Sequence, residues 1–313
     1  MYTFLARRLL STIPVLLIVA VLVFLLLRLT PGDPAAILAG DAANTEQIAR
    51  IRENLGLDRP IPVQFGIWFG NLLSGDLGES FYYKQKVTAL IGQRLEPTIS
   101  LAALTTLFAV LVSVPLGVLA AWRFDSWFDR ALMGFSVMGF SVPVFVLAYL
   151  LIWFVSLKLG LLPVQGYHRI ADGFWPYLQH LILPSFTLSI IYVALIARVT
   201  RASVLEALGE DYIRTARAKG LPELRVLVRH ALANAAVPIV TVIGIGVALL
   251  IGGVVVTESV YAIPGLGRLT VDAVLARDFP TIQGVILLFS FAYVLVNLLV
   301  DVSYVFLDPR IRY

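Results

Sequence analysis

Six long apolar stretches constrain the fold of this chain more than any other feature of its sequence. A helix needs about 20 apolar residues to cross the hydrocarbon core of a bilayer. The stretches that reach this length are 9–29, 99–122, 131–157, 177–197, 235–256 and 282–307. They lack the residue-by-residue alternation of membrane β-barrels. The pattern therefore predicts an all-α polytopic membrane protein with six transmembrane helices.

The composition argues against several other classes of protein. Hydrophobic residues make up 59% of the 313 residues, charged residues make up 14%, and the mean hydropathy is +0.89. In a soluble domain about a quarter of the residues are charged. The sequence contains no cysteine, which excludes a disulfide framework and a thiolate nucleophile. The net charge of +4 comes from basic residues that bracket the apolar stretches, as topology signals do, and we expect no nucleic-acid partner.

Basic residues near the ends of the stretches predict the orientation. Arg7 and Arg8 precede the first stretch, which is longer than the roughly 7–15 apolar residues of a signal peptide. We therefore expect a retained span, and a cleaved signal peptide is the alternative. The segment 198–234 holds seven Arg or Lys against four acids, and Arg310 and Arg312 lie at the end of the chain. By the positive-inside rule both termini are expected in the cytoplasm.

The long loop at residues 30–98 is the candidate for a small domain outside the membrane. Helix-like patterns at 46–55 and 63–73 are separated by Gly and Pro residues, which break helices. Large apolar side chains recur at helical spacing in the second pattern, at Phe65, Trp68, Phe69 and Leu72. This spacing suggests an amphipathic helix packed on the bundle or lying at the membrane interface. A loosely ordered connector is the alternative.

Local motifs for catalysis are absent from the sequence. It contains no phosphate-binding P-loop, no H-E-x-x-H and no G-x-S-x-G, and His168, His180 and His230 are scattered without metal-ligand spacing. Asp301 is the exception among stretches that are nearly free of charge. We interpret it as a helix-end residue bonded to a neighbouring helix rather than as a proton relay. A secondary transporter or channel with Asp301 in its ion path is the alternative from another class.

One strongly charged segment, GEDYIRTARAKGLPELR at residues 209–225, lies between the fourth and fifth stretches. It begins with acids such as Asp211, and Arg217 lies near the end of its first half, an order that complements a helix macrodipole. Gly220 is placed to stop a first helix, and Pro222 suits the first turn of a second. The segment is therefore predicted to form two short helices.

Apolar side chains in the same segment suggest that it docks on a partner. We expect exposed apolar surface at Tyr212, Ile213, Leu221, Leu224 and Leu227. Contiguous apolar surface on a soluble segment marks an interaction site. A solvated connector that only fixes topology or contacts anionic lipid is the alternative.

The sequence YIRTARAKGL at residues 212–221, followed by RHALANA at 229–235, resembles the coupling-loop signature of bacterial ABC-importer permeases. It is similar to the dipeptide, oligopeptide and nickel branch, of the first-permease type. Further blocks that resemble this branch follow in order: PGDP at 31–34, GDLG at 75–78, PGLG at 264–267, RDFP at 277–280 and LDPRIR at 307–312. Arg214 and Thr215 depart from the general permease motif, which has Glu and Ala at these positions.

The resemblance implies a type I ABC-importer permease fold with a cytoplasmic coupling-helix loop and a long extracytoplasmic loop after the first span. Three regions are implied. They are 1–93 (first transmembrane helix and extracytoplasmic loop), 94–307 (permease core with five transmembrane helices and the coupling loop 198–234) and 308–313 (cytoplasmic tail).

The function implied by the resemblance is that of a permease subunit in the bacterial inner membrane, importing dipeptides or oligopeptides with energy from ATP. Import of nickel or another small solute is the alternative. The implied partners are a second, similar permease, two ATPase subunits and an extracytoplasmic solute-binding protein. ATP and Mg are expected on the ATPase subunits, so no cofactor, metal or catalytic residue is expected in this chain.

The resemblance and the residue types together suggest three sets of functional residues. The ATPase-coupling set is Asp211, Tyr212, Arg214, Thr215, Ala216, Arg217, Ala218, Lys219, Gly220 and Leu221. Contacts with the binding protein are expected in the outer loop 30–98 and at Glu258, Pro264, Gly265, Gly267 and Arg268. Candidates for the translocation path are the hydroxyl residues Ser136, Ser141, Ser189 and Thr241. Helix packing is the alternative role for these hydroxyls.

Overall fold

The computed structural model describes residues 2–29, 35–36, 44–54 and 56–307, and all statements below concern these residues. They form twelve α-helices: α1 Tyr2–Leu29, α2 Thr45–Asn54, α3 Ile61–Leu73, α4 Val87–Trp122, α5 Trp127–Ser141, α6 Val144–Leu151, α7 Phe174–Leu208, α8 Asp211–Ala218, α9 Glu223–Arg225, α10 Ala236–Val260, α11 Leu266–Leu275 and α12 Phe279–Leu307. Helices α6 and α9 continue as π-helices, Ile152–Lys158 and Val226–Leu232, and a 3₁₀ turn covers Ile170–Asp172. The PGDP block at 31–34 and the tail with Arg310 and Arg312 lie outside the described residues.

Five helices are long and apolar enough to cross a membrane. They are Arg8–Leu26 within α1, and the whole of α4, α7, α10 and α12. The third apolar stretch of the sequence is not one straight helix. It forms two helices, Trp127–Gly139 and Val144–Lys158, bent by 106°. The described chain therefore has five candidate spans, or six if the bent pair is one broken span, in agreement with a polytopic helical bundle.

The bend in the third stretch has a local cause at Pro143. Proline restricts the residue before it to an extended backbone, and Val142 has φ −94° and ψ 121°. Pro143 is the N-cap of α6 and is itself extended, with ψ 138°. The helical hydrogen-bond ladder therefore stops at Val142 and starts again on the far side of the proline.

By compactness the chain divides into two units. One contains residues 95–268 with 2–5 and 295–307, and the other contains 6–94 with 269–294. The sequence-based regions 1–93, 94–307 and 308–313 rest on expected function rather than on compactness, and they stay a prediction.

In the first unit, α7 is the central helix. Leu181, Leu188 and Ile196 on this helix are at most 2% exposed, and they pack in one cluster with Val254 of α10. Helix α4 approaches α7 closely at Gly117. A β-carbon at position 117 would lie 2.7 Å from the Ala197 carbonyl oxygen, so only glycine fits. Close backbone approach through small residues is how membrane helices gain packing energy.

In the second unit, α3 packs on α1 through aromatic rings. The Phe24 ring lies 5.1 Å from Phe65 in an edge-to-face arrangement and 5.5 Å from Trp68. Such pairs contribute about 0.5–1.5 kcal/mol beyond their buried area. The observed helices α2 and α3 agree with the patterns at 46–55 and 63–73, and the outer segment is ordered there rather than a loose connector.

A buried carboxylate fixes the GDLG and RDFP blocks within the second unit. Asp278 is fully buried and accepts hydrogen bonds from Ser80 Oγ (2.5 Å), Thr281 Oγ1 (2.7 Å) and the Phe81 amide (3.0 Å). Three donors satisfy a buried anion, which would otherwise be costly. Gly78, in the left-handed conformation with φ 81°, begins the turn that brings Ser80 to this carboxylate.

Candidate functional site

The charged segment forms the first predicted helix and its stop signal. Helix α8 runs from Asp211 to Ala218, and Gly220 has φ 75°. The Gly220 amide donates to Arg217 O (2.9 Å), and the Leu221 amide donates to Ala216 O (3.3 Å). These two bonds around a left-handed residue are the Schellman motif that ends a helix. The predicted helix stop at Gly220 is confirmed.

The second predicted helix differs in detail. Pro222 is not in its first turn but precedes it as the N-cap, with ψ 143°. The α-helical part covers only Glu223–Arg225, and the chain continues as a π-helix over Val226–Leu232. A π-helix has one more residue in each hydrogen-bonded ring than an α-helix. The α-helical spacing of side chains that was assumed for the sequence therefore does not apply to Val226–Leu232.

Ion pairs hold the two halves of the segment together across the glycine turn. Arg217 binds both carboxylate oxygens of Glu223, at 2.6 and 3.2 Å. The hydrogen bonds that Arg217 donates to the Glu223 carboxylate raise the pKa of Arg217 above its ordinary value. Burial, followed by the negative charge of Glu210, raises the pKa of Tyr212. The Arg217–Glu223 pair is partly exposed, so it stabilises the segment by no more than about 1 kcal/mol.

The segment has one buried face and one exposed face. Ile213 is 0% exposed, Ala216 is 6% exposed, and both lie in a cluster with Val204 and Ala207 of α7 and Ile239 of α10. Residues three apart share one side of a helix, which explains the pairing of Ile213 with Ala216. We call these five residues the hinge cluster. It attaches α8 directly to two of the long helices.

The expectation of exposed apolar surface is wrong for part of this segment. Ile213 and Leu227 are buried, and Leu221 is half-buried against α7 and its neighbours. They pack inward because the segment lies on the chain's own helices. Tyr212 and Leu224 are exposed, at 39% and 73%. The face available to a partner is therefore formed by these two side chains and by charged residues such as Lys219.

The PGLG block is a turn built around a buried carboxylate. Glu258, at the end of α10, is 0% exposed. It accepts hydrogen bonds from Thr98 Oγ1 at 2.6 Å and from the Arg268 amide at 3.0 Å. Thr98 Oγ1 also accepts from the Leu266 amide at 2.7 Å. A β-carbon at Gly265 would overlap the Glu258 carboxylate, so the glycine makes room for it.

This geometry corrects the expected role of Glu258. A fully buried side chain cannot contact a binding protein, and Gly265 and Gly267 are buried as well. Their role is to hold the turn between α10 and α11. Pro264 is exposed and Arg268 is half-buried, so these two residues remain candidates for contact. A glutamate at the end of an apolar helix, six residues before a PGLG block, was the available sequence signal for this turn.

Gly267→Ala is expected to destabilise the protein by about 1–3 kcal/mol, the usual cost of overpacking. The added β-carbon would lie 2.6 Å from Val255 Cα and 2.9 Å from Val255 N, and backbone atoms cannot rotate away. The measurement is thermal unfolding of the detergent-purified chain.

The control is Gly252→Ala, at a helical position with no heavy atom within 4 Å. It should be neutral or stabilising because alanine favours helix. Equal melting temperatures for the two variants would contradict this account of the turn.

The four hydroxyl candidates for the translocation path are occupied within their own helices. Ser136, Ser141 and Thr241 donate to the carbonyl four residues earlier, and Ser189 donates to the carbonyl three residues earlier. Thr241 also bonds the Tyr304 hydroxyl at 2.7 Å. Ser136 and Ser189 are buried, Thr241 is half-buried and Ser141 is exposed. These contacts fit the alternative role in helix packing, and a role in the path stays a prediction.

The sequence interpretation missed a buried ion pair at the start of α5. Arg201 donates through Nη2 to Asp129 at 2.6 Å and through Nε to the other carboxylate oxygen. Asp129 is 2% exposed, and Ser126 caps α5 by accepting from the Asp129 amide. An arginine close to the end of an apolar helix was the available signal, because a charge there needs a partner.

The fold of this chain is shared with a solved transporter. The structure described as inward-facing conformations of the MetNI methionine ABC transporter matches with a TM-score of 0.59, over 71% of this chain and 97% of that chain, at 18% sequence identity. The class is a multi-pass membrane protein with an ABC-transporter permease fold.

Family models identify the chain more closely. Residues 113–313 match the model described as "Binding-protein-dependent transport system inner membrane component", and residues 1–102 match the corresponding N-terminal model. The chain belongs to this family of inner membrane components. It is thus a multi-pass inner membrane protein and a permease subunit of an ABC importer.

Relatives match over the whole length. The chain is 55% identical to the probable peptide ABC transporter permease protein y4tP of Sinorhizobium fredii, with 100% of both chains covered. It is 48% identical to a putative peptide transport system permease protein of Brucella abortus, with 98% of both covered. It is 46% identical to the glutathione transport system permease protein GsiC of Salmonella choleraesuis, with 100% of both covered.

Proposed function

We propose that this chain imports short peptides, and that it forms the translocation path together with a second, similar permease subunit. The names of its relatives support the substrate class: they refer to peptides or to glutathione, itself a tripeptide. Import of nickel or another small solute by the same machine is the second candidate. An extracytoplasmic binding protein would deliver the substrate and set much of the specificity.

Energy for transport would come from two ATPase subunits beneath the bundle. ATP and Mg would bind to those subunits, and this chain would contribute no catalytic residue. With the basic segments inside, both termini and α8 would lie on the cytoplasmic side, where the ATPases dock. The outer loop 30–98, together with Pro264 and Arg268, would face the binding protein.

The proposed coupling to the ATPases rests on helix α8, which has one buried face and one exposed face. Its inner face, Ile213 and Ala216, is packed on α7 and α10. Its outer face, with Tyr212, and the exposed Lys219 directly after its end could seat in a groove of an ATPase. A displacement of the outer face would therefore move the ends of two long helices. ATP can shift the bundle between two conformations only if it binds the complex with a different affinity in each of them. A helix that contacts both the ATPase and the bundle would link the conformation of the ATPase to that of the bundle.

Tyr212→Ala combined with Lys219→Glu is expected to weaken the association with the ATPase subunits by roughly tenfold or more, since exposed aromatic anchors dominate interface energies. Both side chains are exposed, so the chain should fold normally. The measurement is the amount of ATPase subunit that co-purifies with the chain from a co-expressed complex, followed by ATP hydrolysis stimulated by the binding protein.

The matched control is Tyr82→Ala combined with Lys86→Glu, which makes the same chemical changes at exposed positions before α4. It should leave ATPase association unchanged. If the Tyr212/Lys219 variant is folded and still retains the ATPases at the level of this control, the coupling assignment is wrong. The peptide substrate is tested separately, by binding of labelled dipeptides and of Ni²⁺ to the cognate binding protein.

A further inference from the structure

Two of the three histidines of the chain meet in the first unit. His168, in the loop before α7, and His180, in the second turn of α7, have ring centroids 4.6 Å apart, with the ring planes inclined by 56°. The chain contains three histidines and no cysteine, so this pair holds two of its three imidazole groups. We propose that His168 and His180 together bind a divalent transition-metal ion of the imidazole-preferring class, such as Cu²⁺ or Zn²⁺.

The tautomer of His180 is set by its surroundings. Its Nδ1 lies 2.8 Å from the Pro176 carbonyl oxygen. A carbonyl only accepts hydrogen bonds, so Nδ1 carries the proton and Nε2 carries the free lone pair. Donation of the second ring N–H to a backbone carbonyl is the usual arrangement of metal-bound histidines, because it orients the ring and increases the basicity of the ligand nitrogen.

The free nitrogen of His180 faces the loop that carries His168. A β-carbon built on Gly166 would lie 3.6 Å from Cδ2 and 3.9 Å from Nε2 of His180, so this edge of the ring borders Gly166, two residues before His168. His168 itself is exposed, and its imidazole is therefore accessible to ions from solution. The two rings thus lie side by side at the surface, with the lone pair of His180 on the loop side.

The loop is held in place independently of the histidines. The Gly166 amide donates to Tyr261 O (2.9 Å), and Gln165 Nε2 donates to Val260 O (3.1 Å). Glu96 accepts from the Tyr167 hydroxyl (3.1 Å), just before His168, and from the Ile170 amide (3.0 Å), on its other side. Four hydrogen bonds to α4 and to the end of α10, two from backbone amides and two from side chains, therefore hold the loop on both sides of His168. A site on a fixed backbone loses little entropy on binding an ion.

The ring spacing fits a shared ion. If one nitrogen of each ring binds the same ion at about 2.0–2.1 Å, each ring centre lies about 3.2 Å from the metal, and the ring separation of 4.6 Å corresponds to a nitrogen–metal–nitrogen angle of roughly 90°. This is the angle between neighbouring ligands in the tetragonal geometry that Cu²⁺ prefers. Among the described residues no group of three or more His, Cys, Asp or Glu is placed to hold a metal, so water would complete the coordination.

The experiment is titration of the purified full-length chain with Cu²⁺ and with Zn²⁺, after removal of any affinity tag, by calorimetry and by copper electron paramagnetic resonance. We expect saturation at one ion per chain and nitrogen hyperfine structure from imidazole. His168→Ala should weaken binding by at least roughly 10- to 100-fold, the range known for loss of a supporting group. His168 is exposed, so this variant should fold normally.

The control is His230→Ala, which removes the remaining histidine, far along the sequence in the π-helix Val226–Leu232. It should leave the affinity unchanged. His180→Gln is a second test, because it removes the imidazole while keeping a polar side chain of similar length. Absence of saturable binding, or binding that His230→Ala abolishes and His168→Ala leaves intact, would overturn the proposal. Neither result depends on which solute the transporter imports.

Discussion

Arg201→Ala is expected to be among the most destabilising single substitutions in the chain, at about 3–5 kcal/mol of the free energy of unfolding. Removal of the guanidinium leaves Asp129 without its charged partner at 2% exposure, and a lone buried charge carries a cost of that size. The measurement is unfolding of the purified protein in mixed micelles with increasing denaturant. The double variant Asp129→Ala/Arg201→Ala should recover part of the loss, because it leaves no charge behind.

Arg130→Ala is the matched control for this prediction. Its guanidinium pairs with Asp125 at 3.0 Å, but the two side chains are 72% and 70% exposed. Exposed pairs contribute about 0–1 kcal/mol. The two arginines pair with carboxylates only four residues apart in the chain, but the losses in free energy of unfolding on substitution should differ severalfold. If both variants unfold at the same denaturant concentration, the ion pair at the start of α5 is not a stabilising element.

Glu258→Ala is expected to cost about 2–6 kcal/mol, since it removes the carboxylate acceptor of two half-buried donors, at about 1–3 kcal/mol each. The donors are the Thr98 hydroxyl and the Arg268 amide. Glu258→Gln should cost less, because it keeps one acceptor oxygen and the volume of the side chain. Melting temperatures of the three proteins in the same detergent would give the order wild type, Gln, Ala.

Glu206→Ala provides the comparison for Glu258. It removes the same functional group from an exposed position in α7, and a surface change of this kind usually stays within about 0.5 kcal/mol. An equal effect of the two alanine variants would refute the role assigned to the buried carboxylate in the turn.

Local sequence rules predicted those parts of the molecule that local forces determine. The stop at Gly220 needs only a residue that tolerates a left-handed backbone, and Gly220 has φ 75°. The apolar stretches predicted the long helices for the same reason, since length and hydropathy are local properties. The stop at Gly220 is found in the structure, and five of the six stretches form long helices, while the third is divided into two helices.

Prolines show where such rules end. Pro97 and Pro115 lie inside α4, and Pro184 lies inside α7, without ending either helix. Pro143 separates two helices by 106°. Whether a membrane helix continues through a proline depends on whether neighbouring groups satisfy the freed carbonyls, and the sequence around the proline does not determine that.

The burial of Glu258 and Ile213 also lay beyond the sequence. Glu258 receives a hydrogen bond from Thr98, 160 residues earlier in the chain, and no local pattern predicts such a pairing. Ile213 and Ala216 have the spacing of a buried face, but the same spacing fits a surface that binds a partner. Only the positions of α7 and α10 decide between these two readings.

The joint between α7 and α8 has a mechanical consequence for the proposed coupling. Helix α7 ends at Leu208 and α8 begins at Asp211, so two residues connect them, and α8 itself is about 12 Å long at 1.5 Å per residue. A connector of two residues is too short to absorb a displacement of α8, so the displacement would be transmitted to α7. Insertion or deletion of a residue in this connector would change how far α7 moves when α8 is displaced. Chain length at this joint should accordingly be more tightly constrained than the identity of the residues that form it.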